Sequence, residues 1–370
     1  MRLSFHLLLV PTLLVGCSHG SSGSGQPSLG TIDFIPINTA VDLTPDGSVA
    51  LLTDLGTADV YLYDTFTHDL SLITSAGDPQ RDFVTGISAN LRVSALHGDP
   101  VQAGLWSDAG GWLDLGRPNS SGGCGADIAA AWDISADGQV VIGLDWNVCD
   151  GEAFRWSDAS GVGVFTPMQV LGHVPSGSTS APTNRATVIS DDGAVTAGFA
   201  QTVRVDRWPA LWDASGSGFL LDAGGVFSSD APGEVLSISE DGSVVAGIWN
   251  LDGFYWSLPT GVVDIGRLPN ALPSDPTHPN AIADGGQLIF GGCGDPFLGV
   301  PAAFVWTAAD GMRPLQDILV ASGVDIPSGY FLINVLASST DGSLLLGQAF
   351  DASFNQVSFV LTLPISAYGL

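Results

Sequence analysis

The sequence predicts an all-β fold, a seven-bladed β-propeller built from four-stranded antiparallel blades, and three observations carry that expectation. The first is composition. Of 38 acidic residues all but Glu152, Glu234 and Glu240 are Asp, every one of the ten basic residues is Arg, and 48 Gly and 22 Pro accompany them. Asp, Gly and Pro make turns, whereas the Glu and Lys of solvated helix faces are nearly missing. The second is an Asp-Gly turn that recurs at intervals of 44 to 56 residues, anchored at Asp46, Asn90, Asp137, Asp192, Asp241, Gly285 and Asp341. Periods of this size belong to propeller blades or solenoid units, none of which buries its own faces alone. The third is the run that follows each turn: VVIG at 140–143, VVAG at 244–247 and LLLG at 344–347 are apolar throughout, as a strand covered on both faces must be. Six or eight blades, or a β-solenoid, are the competing arrangements.

The chain opens with Arg2 and a mostly apolar run, Leu3 to Val15. That is too short to span a bilayer and reads as the core of a signal peptide. It ends in Leu14, Val15, Gly16 and Cys17, which looks like the lipobox of bacterial lipoproteins. The resemblance implies a leader over 1–16 and acylation of Cys17. Residues 17–29, rich in Gly and Ser, then form a flexible tether. With Ser rather than Asp at position 18, the implied location is the outer membrane or cell surface. An ordinary secretory signal cut nearby, with Cys17 incidental, is the alternative.

Residues 30–370 form the single propeller domain. GTIDFIPI at 30–37 has the character of a fourth strand but precedes the first unit, and the seventh unit ends one strand short. Pairing the two would close the ring and remove an exposed edge. Within a unit, a short apolar strand leads into Asp-Gly, a dipeptide suited to a tight turn. The doubly covered strand follows, and then a third strand that alternates, setting Phe154 with Trp156, Phe254 with Trp256 and Phe304 with Trp306 on one face. Segments such as WLDLG at 112–116 and VVDIG at 262–266 supply the fourth strand.

The pattern I-S-x-D-G-x-V-V-x-G, then A-F-x-W, then G-x-x-x-L-G, resembles the extracellular HAF repeat family of bacteria. Residues 302–347 carry it best, with Ala303-Phe304-Val305-Trp306, Gly311-Met312, Leu315, Ser328-Gly329-Tyr330, Asp341-Gly342 and Gly347. The likeness covers roughly residues 85–363. It implies a secreted or surface propeller-like protein of undefined activity.

Alternation of strands puts the Asp-Gly turns on one end of the ring, the turn face. The connections between units, and those between second and third strands, lie on the other, the loop face. Cys124 and Cys149 fall in loop-face connections of neighbouring units, so in an exported protein a disulfide between them is expected. Cys293 is left over, either as a buried inert thiol or as a reactive one. The same face collects Asp145, Trp146, Asp150, Trp249, Asp252, Asp295, Phe350 and Asp351. Carboxylates beside aromatic rings suit glycans, cationic groups or Ca²⁺, which makes these residues the candidate binding face. The doublets Asp191-Asp192 and Glu240-Asp241 sit at turns and read as turn formers.

A formal charge of −28 repels nucleic acid and anionic headgroups. No GxSxG, HExxH, phosphate-binding loop or dinucleotide fingerprint is present. The sequence thus favours a monomeric, non-enzymatic binding or scaffold module for a glycan, peptide or partner protein, with no cofactor and with membrane contact only through the anchor. An exported hydrolase or lyase using carboxylates at the channel mouth, with or without Ca²⁺, is the alternative, and a purely architectural envelope protein is a third.

Overall fold

The computed structural model describes residues 29–74, 83–98, 101–118, 128–147, 150–158, 163–173, 182–294 and 301–370. Seven four-stranded antiparallel sheets stand around a central channel, as the repeat count predicts. Six sheets are continuous stretches of chain. The seventh is composite: its outermost strand, Thr31–Ile35, pairs with Gln356–Thr362 through five consecutive partners from Thr31 with Thr362 to Ile35 with Ser358. Phe34 seals this closure against Tyr330 and Phe359, at ring separations of 4.5 and 6.5 Å. The first and last segments of the domain therefore share one sheet, and the ring has no open seam.

The core lies between blades. One cluster joins Leu105 and Leu115 of the second blade to Ile134, Phe154 and Trp156 of the third. Another joins Ala50 and Tyr63 of the first blade to Leu346 and Val360 of the seventh. Each doubly covered strand supplies apolar side chains to both neighbours, so no blade can be removed without exposing two layers.

The recurring Ser and Asp are turn hardware. In six blades a Ser or Thr hydroxyl donates to the Asp or Asn two residues later, as Ser239 does to Asp241 at 2.8 Å. That same hydroxyl accepts the N–H that opens the next strand, Val244 in this case, at 3.0 Å. In the second blade the turn is one residue shorter, and Leu91 takes the left-handed backbone (φ 61°) that Gly supplies elsewhere. The sixth blade has Ala283 in place of the Ser and makes a 3₁₀ turn over Asp284–Gly286 instead.

The innermost strand of every blade carries a bulge near its end, as between Ala40 and Asp42, Ala131 and Asp133, and Val235 and Ser237. A bulge leaves one residue unpaired and re-aims its side chain. In the fifth blade Gly247 packs under this bulge, where a Cβ would stand 2.0 Å from the Glu234 carbonyl oxygen.

Candidate functional site

The innermost strands leave a channel cavity of about 480 Å³, lined by residues from all seven blades. Side chains at the bulges and just after them cross the blade junctions. Asp42 of the first blade accepts the N–H of Ile87 in the second at 2.8 Å, as well as that of its own neighbour Leu43. Asp133 does the same between the third and fourth blades, accepting from Ile189 at 2.9 Å and from Ile134 at 2.7 Å. Thr85 donates to the Ala131 carbonyl, Ser237 to the Pro279 carbonyl and Asn280 to Asn334 and the Val335 carbonyl. These contacts satisfy backbone groups on the inner edges of six of the sheets that would otherwise face the channel unpaired.

At the turn face the residue between the repeated Ser and Asp bonds from blade to blade along the channel rim: Ala89 N–H to Ala136, Ala136 N–H to Asp191, and Asp191 N–H to Glu240. The run resumes from Asp284 to Thr340 and from Thr340 to Pro45, whose imide nitrogen has no proton to pass on. This geometry aims Asp191 and Glu240 at the cavity, and Thr340 reaches across it to Asp191 Oδ2 at 3.4 Å. Asp192 and Asp241, the second members of the two doublets, cap their turns as expected. Asp191 and Glu240, the first members, line the channel. Reading them as plain turn formers is therefore corrected for half of each doublet.

Among the described residues four carboxyl groups thus line the cavity, Asp42, Asp133, Asp191 and Glu240, and no Arg or His does. Burial pushes the Asp42 carboxyl up to about 7, against the pull of its two backbone N–H partners and with help from the charge on Asp191. Asp133 is raised well above the ordinary range by burial and then by Asp42. Asp191 is raised too, by burial first and by the neighbouring Glu240 and Asp192. On two of the cavity-lining residues one polar atom each, Glu240 Oε2 and Trp132 Nε1, is fully buried with no hydrogen-bond partner among the described residues.

Toward the loop face the charge pattern changes. Arg185 lies 4.3 Å over the Trp132 ring and pairs with the buried Glu234, which also accepts from Thr187 at 3.0 Å and Arg207 at 2.8 Å. Both oxygens of Glu234 are engaged, so this network is internally satisfied.

The residues singled out on the loop face have individual structural surroundings. Asp145 is fully buried and receives Arg117 Nε and Nη2 at 3.0 and 2.7 Å. Its neighbour Trp146 is 39% exposed. Trp249 has no exposed surface: it stacks on Phe227 at 5.4 Å, meets Trp208 and Phe254 edge-on and donates to the Ala231 carbonyl. It therefore presents no ring face to a ligand. Asp252 pairs with Arg267. Asp351 folds back on its own loop, accepting from Asn355 and Ser353, and these bonds hold its carboxyl below the usual range. Phe350 is half-buried and pairs across the strand with Phe331, which stacks on the exposed Phe354 at 6.4 Å. Asp150 opens the third strand of its blade. Cys17, Cys124, Cys149 and Asp295 lie outside the described residues. Cys293 is a buried free thiol beside the Thr277 hydroxyl. Among the described residues no three His, Cys, Asp or Glu side chains are gathered as metal ligands.

Sequence reasoning passed over Asp42, Asp133 and Trp132. Their signal was an interruption of the repeat: in AVDL and AWDI an acid stands where the other units place Gly, Val, Ser or Ala.

The chain matches no protein-family model and no curated protein. Among solved structures it is similar to an oligogalacturonate lyase of Vibrio parahaemolyticus (TM-score 0.57, 13% identity, 90% of this chain and 92% of that one). It is also similar to a virginiamycin B lyase of Staphylococcus aureus (TM-score 0.54, 12% identity, 90% and 99%). The likeness is one of fold. No helix among the described residues is long and apolar enough to cross a membrane.

Proposed function

We propose that the protein is an extracytoplasmic recognition module, tethered through Cys17 at the outer membrane or cell surface, whose polar ligand is taken into the central channel from the turn face. The observation that carries this reading is the cavity itself: about 480 Å³, within the size range of small-molecule sites, and lined by polar side chains from several blades, among them Asp42, Asp133, Asp191 and Thr340. The leader, the lipobox and the resemblance to extracellular HAF repeats support the location. The loop face supports the reading by contrast, since Asp145, Asp252 and Asp351 are each engaged within the fold.

The test fills the channel. Ala136 lines the cavity and its neighbour contact is made by the backbone, so Ala136→Trp blocks the space while keeping the rim bonds. Native mass spectrometry of the full chain after incubation with a cell-envelope extract is expected to show bound mass in the wild type and in Trp146→Ala, and none in Ala136→Trp. Retention in Ala136→Trp together with loss in Trp146→Ala would place recognition on the loop face.

One observation favours a second reading, an exported lyase or hydrolase. A carboxyl that titrates near neutrality and faces a cavity is suited to move a proton. Turnover of uronate oligosaccharides to unsaturated products, abolished in Asp42→Asn, would establish it; absence of turnover with retained ligand binding would leave the recognition module.

A further inference from the structure

We propose that His68 is a proton-dependent latch on the strand that closes the ring, engaged when its imidazole is charged and released when it is neutral; the inference is independent of what the channel binds. His68 stands in the turn between the third and fourth strands of the first blade, Asp59–Asp64 and Leu70–Thr74. Its Nδ1 lies 2.8 Å from the Tyr63 hydroxyl of the same blade and 3.3 Å from Asp33 Oδ2 on the closing strand Thr31–Ile35. Asp33 takes that place when the strand is paired into the seventh blade, where it stands opposite Val360, so the contact belongs to the closed ring. The residue itself is out of pattern. In the corresponding turns of the second, fourth, fifth and sixth blades the left-handed residue is Gly111, Gly216, Gly261 or Gly311, whereas the first blade sets a His there at φ 63°. A side chain kept where the other units carry none costs backbone energy, and this one reaches a neighbouring blade through Asp33.

One nitrogen cannot serve both oxygens alike in both charge states. On the neutral ring the Tyr63 O–H, the shorter of the two contacts, donates to the Nδ1 lone pair and so selects the tautomer with its proton on Nε2. The Asp33 carboxylate then faces a lone pair with no proton between them. On the charged ring Nδ1 carries an N–H, which Asp33 accepts with the added attraction of opposite charges, and the Tyr63 hydroxyl turns its own proton away. Among the described residues the other groups around His68 are Tyr63 on the third strand and Asp64 and Asp69 on its own turn. The two acids are occupied by that turn, Asp64 by the N–H groups of Phe66 and Thr67 and Asp69 by the Thr67 hydroxyl, which leaves Asp33 as the partner on another blade. Imidazole ordinarily changes charge between about pH 5 and 8. The latch therefore contributes while His68 holds its proton and is lost as rising pH removes it. With 53% and 41% of the two side chains exposed, the effect is modest, about a two- to five-fold change in the opening of the closing strand.

The experiment is hydrogen exchange of the Thr31–Ile35 amides in the full chain, corrected for the intrinsic pH dependence of exchange, at about pH 5.5 and about pH 8.5. Asp33→Asn keeps the shape of the side chain and removes its charge. It is expected to raise opening by about two- to five-fold at the lower pH and to leave it unchanged at the higher. His68→Gly installs the residue that the other turns use, so the turn keeps its conformation, and in that background Asp33→Asn should have no effect at either pH. An Asp33→Asn effect of equal size at both pH values, or one that survives in His68→Gly, means that Asp33 holds the strand through another contact and overturns the latch. So does the absence of any effect at the lower pH. Asp69→Asn removes a neighbouring charge and should leave the pattern intact; if it abolishes the pH dependence instead, the proton is sensed within the turn and the contact between blades is not the latch.

Discussion

Asp241 and Asp42 are both aspartates at the end of an inner strand, and protons find them in opposite conditions. Asp241 sits at a turn open to water, accepts the Ser243 N–H at 2.9 Å and the Ser239 hydroxyl, and is held below the ordinary carboxylate range chiefly by that backbone bond. Asp42 also accepts backbone N–H groups, two of them, yet it is pushed up to about 7 because the channel takes it away from bulk water. The number of hydrogen bonds does not decide the matter; desolvation does. The comparison also separates two kinds of position in a repeat. Residues that recur at the same place in most units hold each unit together, and residues that break the pattern on the innermost strand face the space the ring encloses.

The strongest way to break this comparison is to break the ring. Deleting Thr31–Ile35 removes the five-residue ladder and the Phe34 contacts, and exposes the Gln356–Thr362 edge. Size-exclusion chromatography should show loss of soluble monomer. If a well-folded monomer persisted, closure would not be what holds the sectors together. Next in size is Gly247→Ala, which forces a Cβ against the Glu234 carbonyl and should cost about 2–3 kcal/mol of stability by denaturant unfolding. Ser239→Ala removes one donor and one acceptor from a turn and should cost about 1–2 kcal/mol, with retention in the channel unchanged. An equal effect on retention would mean that turn hardware and site are not separable.

The last expected effect concerns pH, and its sign distinguishes the two classes of acid. Between an unfolded value of 3.8 and a folded value of about 7, Asp42 keeps its proton in the native state and loses it on unfolding. Its contribution is therefore fully present below 3.8 and is lost as pH rises through 7. Asp133 and Asp191 are raised as well and act in the same direction. Asp46 and Asp241 are lowered, so the stability they contribute is present above 3.8 and falls away at lower pH. Melting curves should therefore show stability rising on acidification from above neutrality toward 4, then falling. Asp42→Asn should flatten the first limb and leave the second.

Much of the architecture was legible because a repeat states its own grammar several times. The seven Asp-Gly anchors, the doubly covered strands and the closing segment at 30–37 all fall where the spacing put them. The site was less legible, for two physical reasons. Trp249 ends a strand next to a loop-face turn and looks available, yet Phe227 and the Ala231 carbonyl, from the connection leading into its own blade, close over it. Such long-range covering leaves no mark at the residue itself. Asp42 and Asp133 differ from a turn Asp only in direction, and the bulge that sets their direction is a property of strand pairing. The interruption of an apolar run was the available signal, and comparing the seven units position by position is what exposes it.

The most direct measurement is a carbon-detected NMR titration of the aspartate carboxyls, with Asp42 and Asp241 assigned by substitution. The account predicts a midpoint near 7 for Asp42 and one below 3.8 for Asp241 in the same folded protein. Coincident midpoints in the ordinary carboxylate range would contradict it, because the channel would then be as open to water as the turns are.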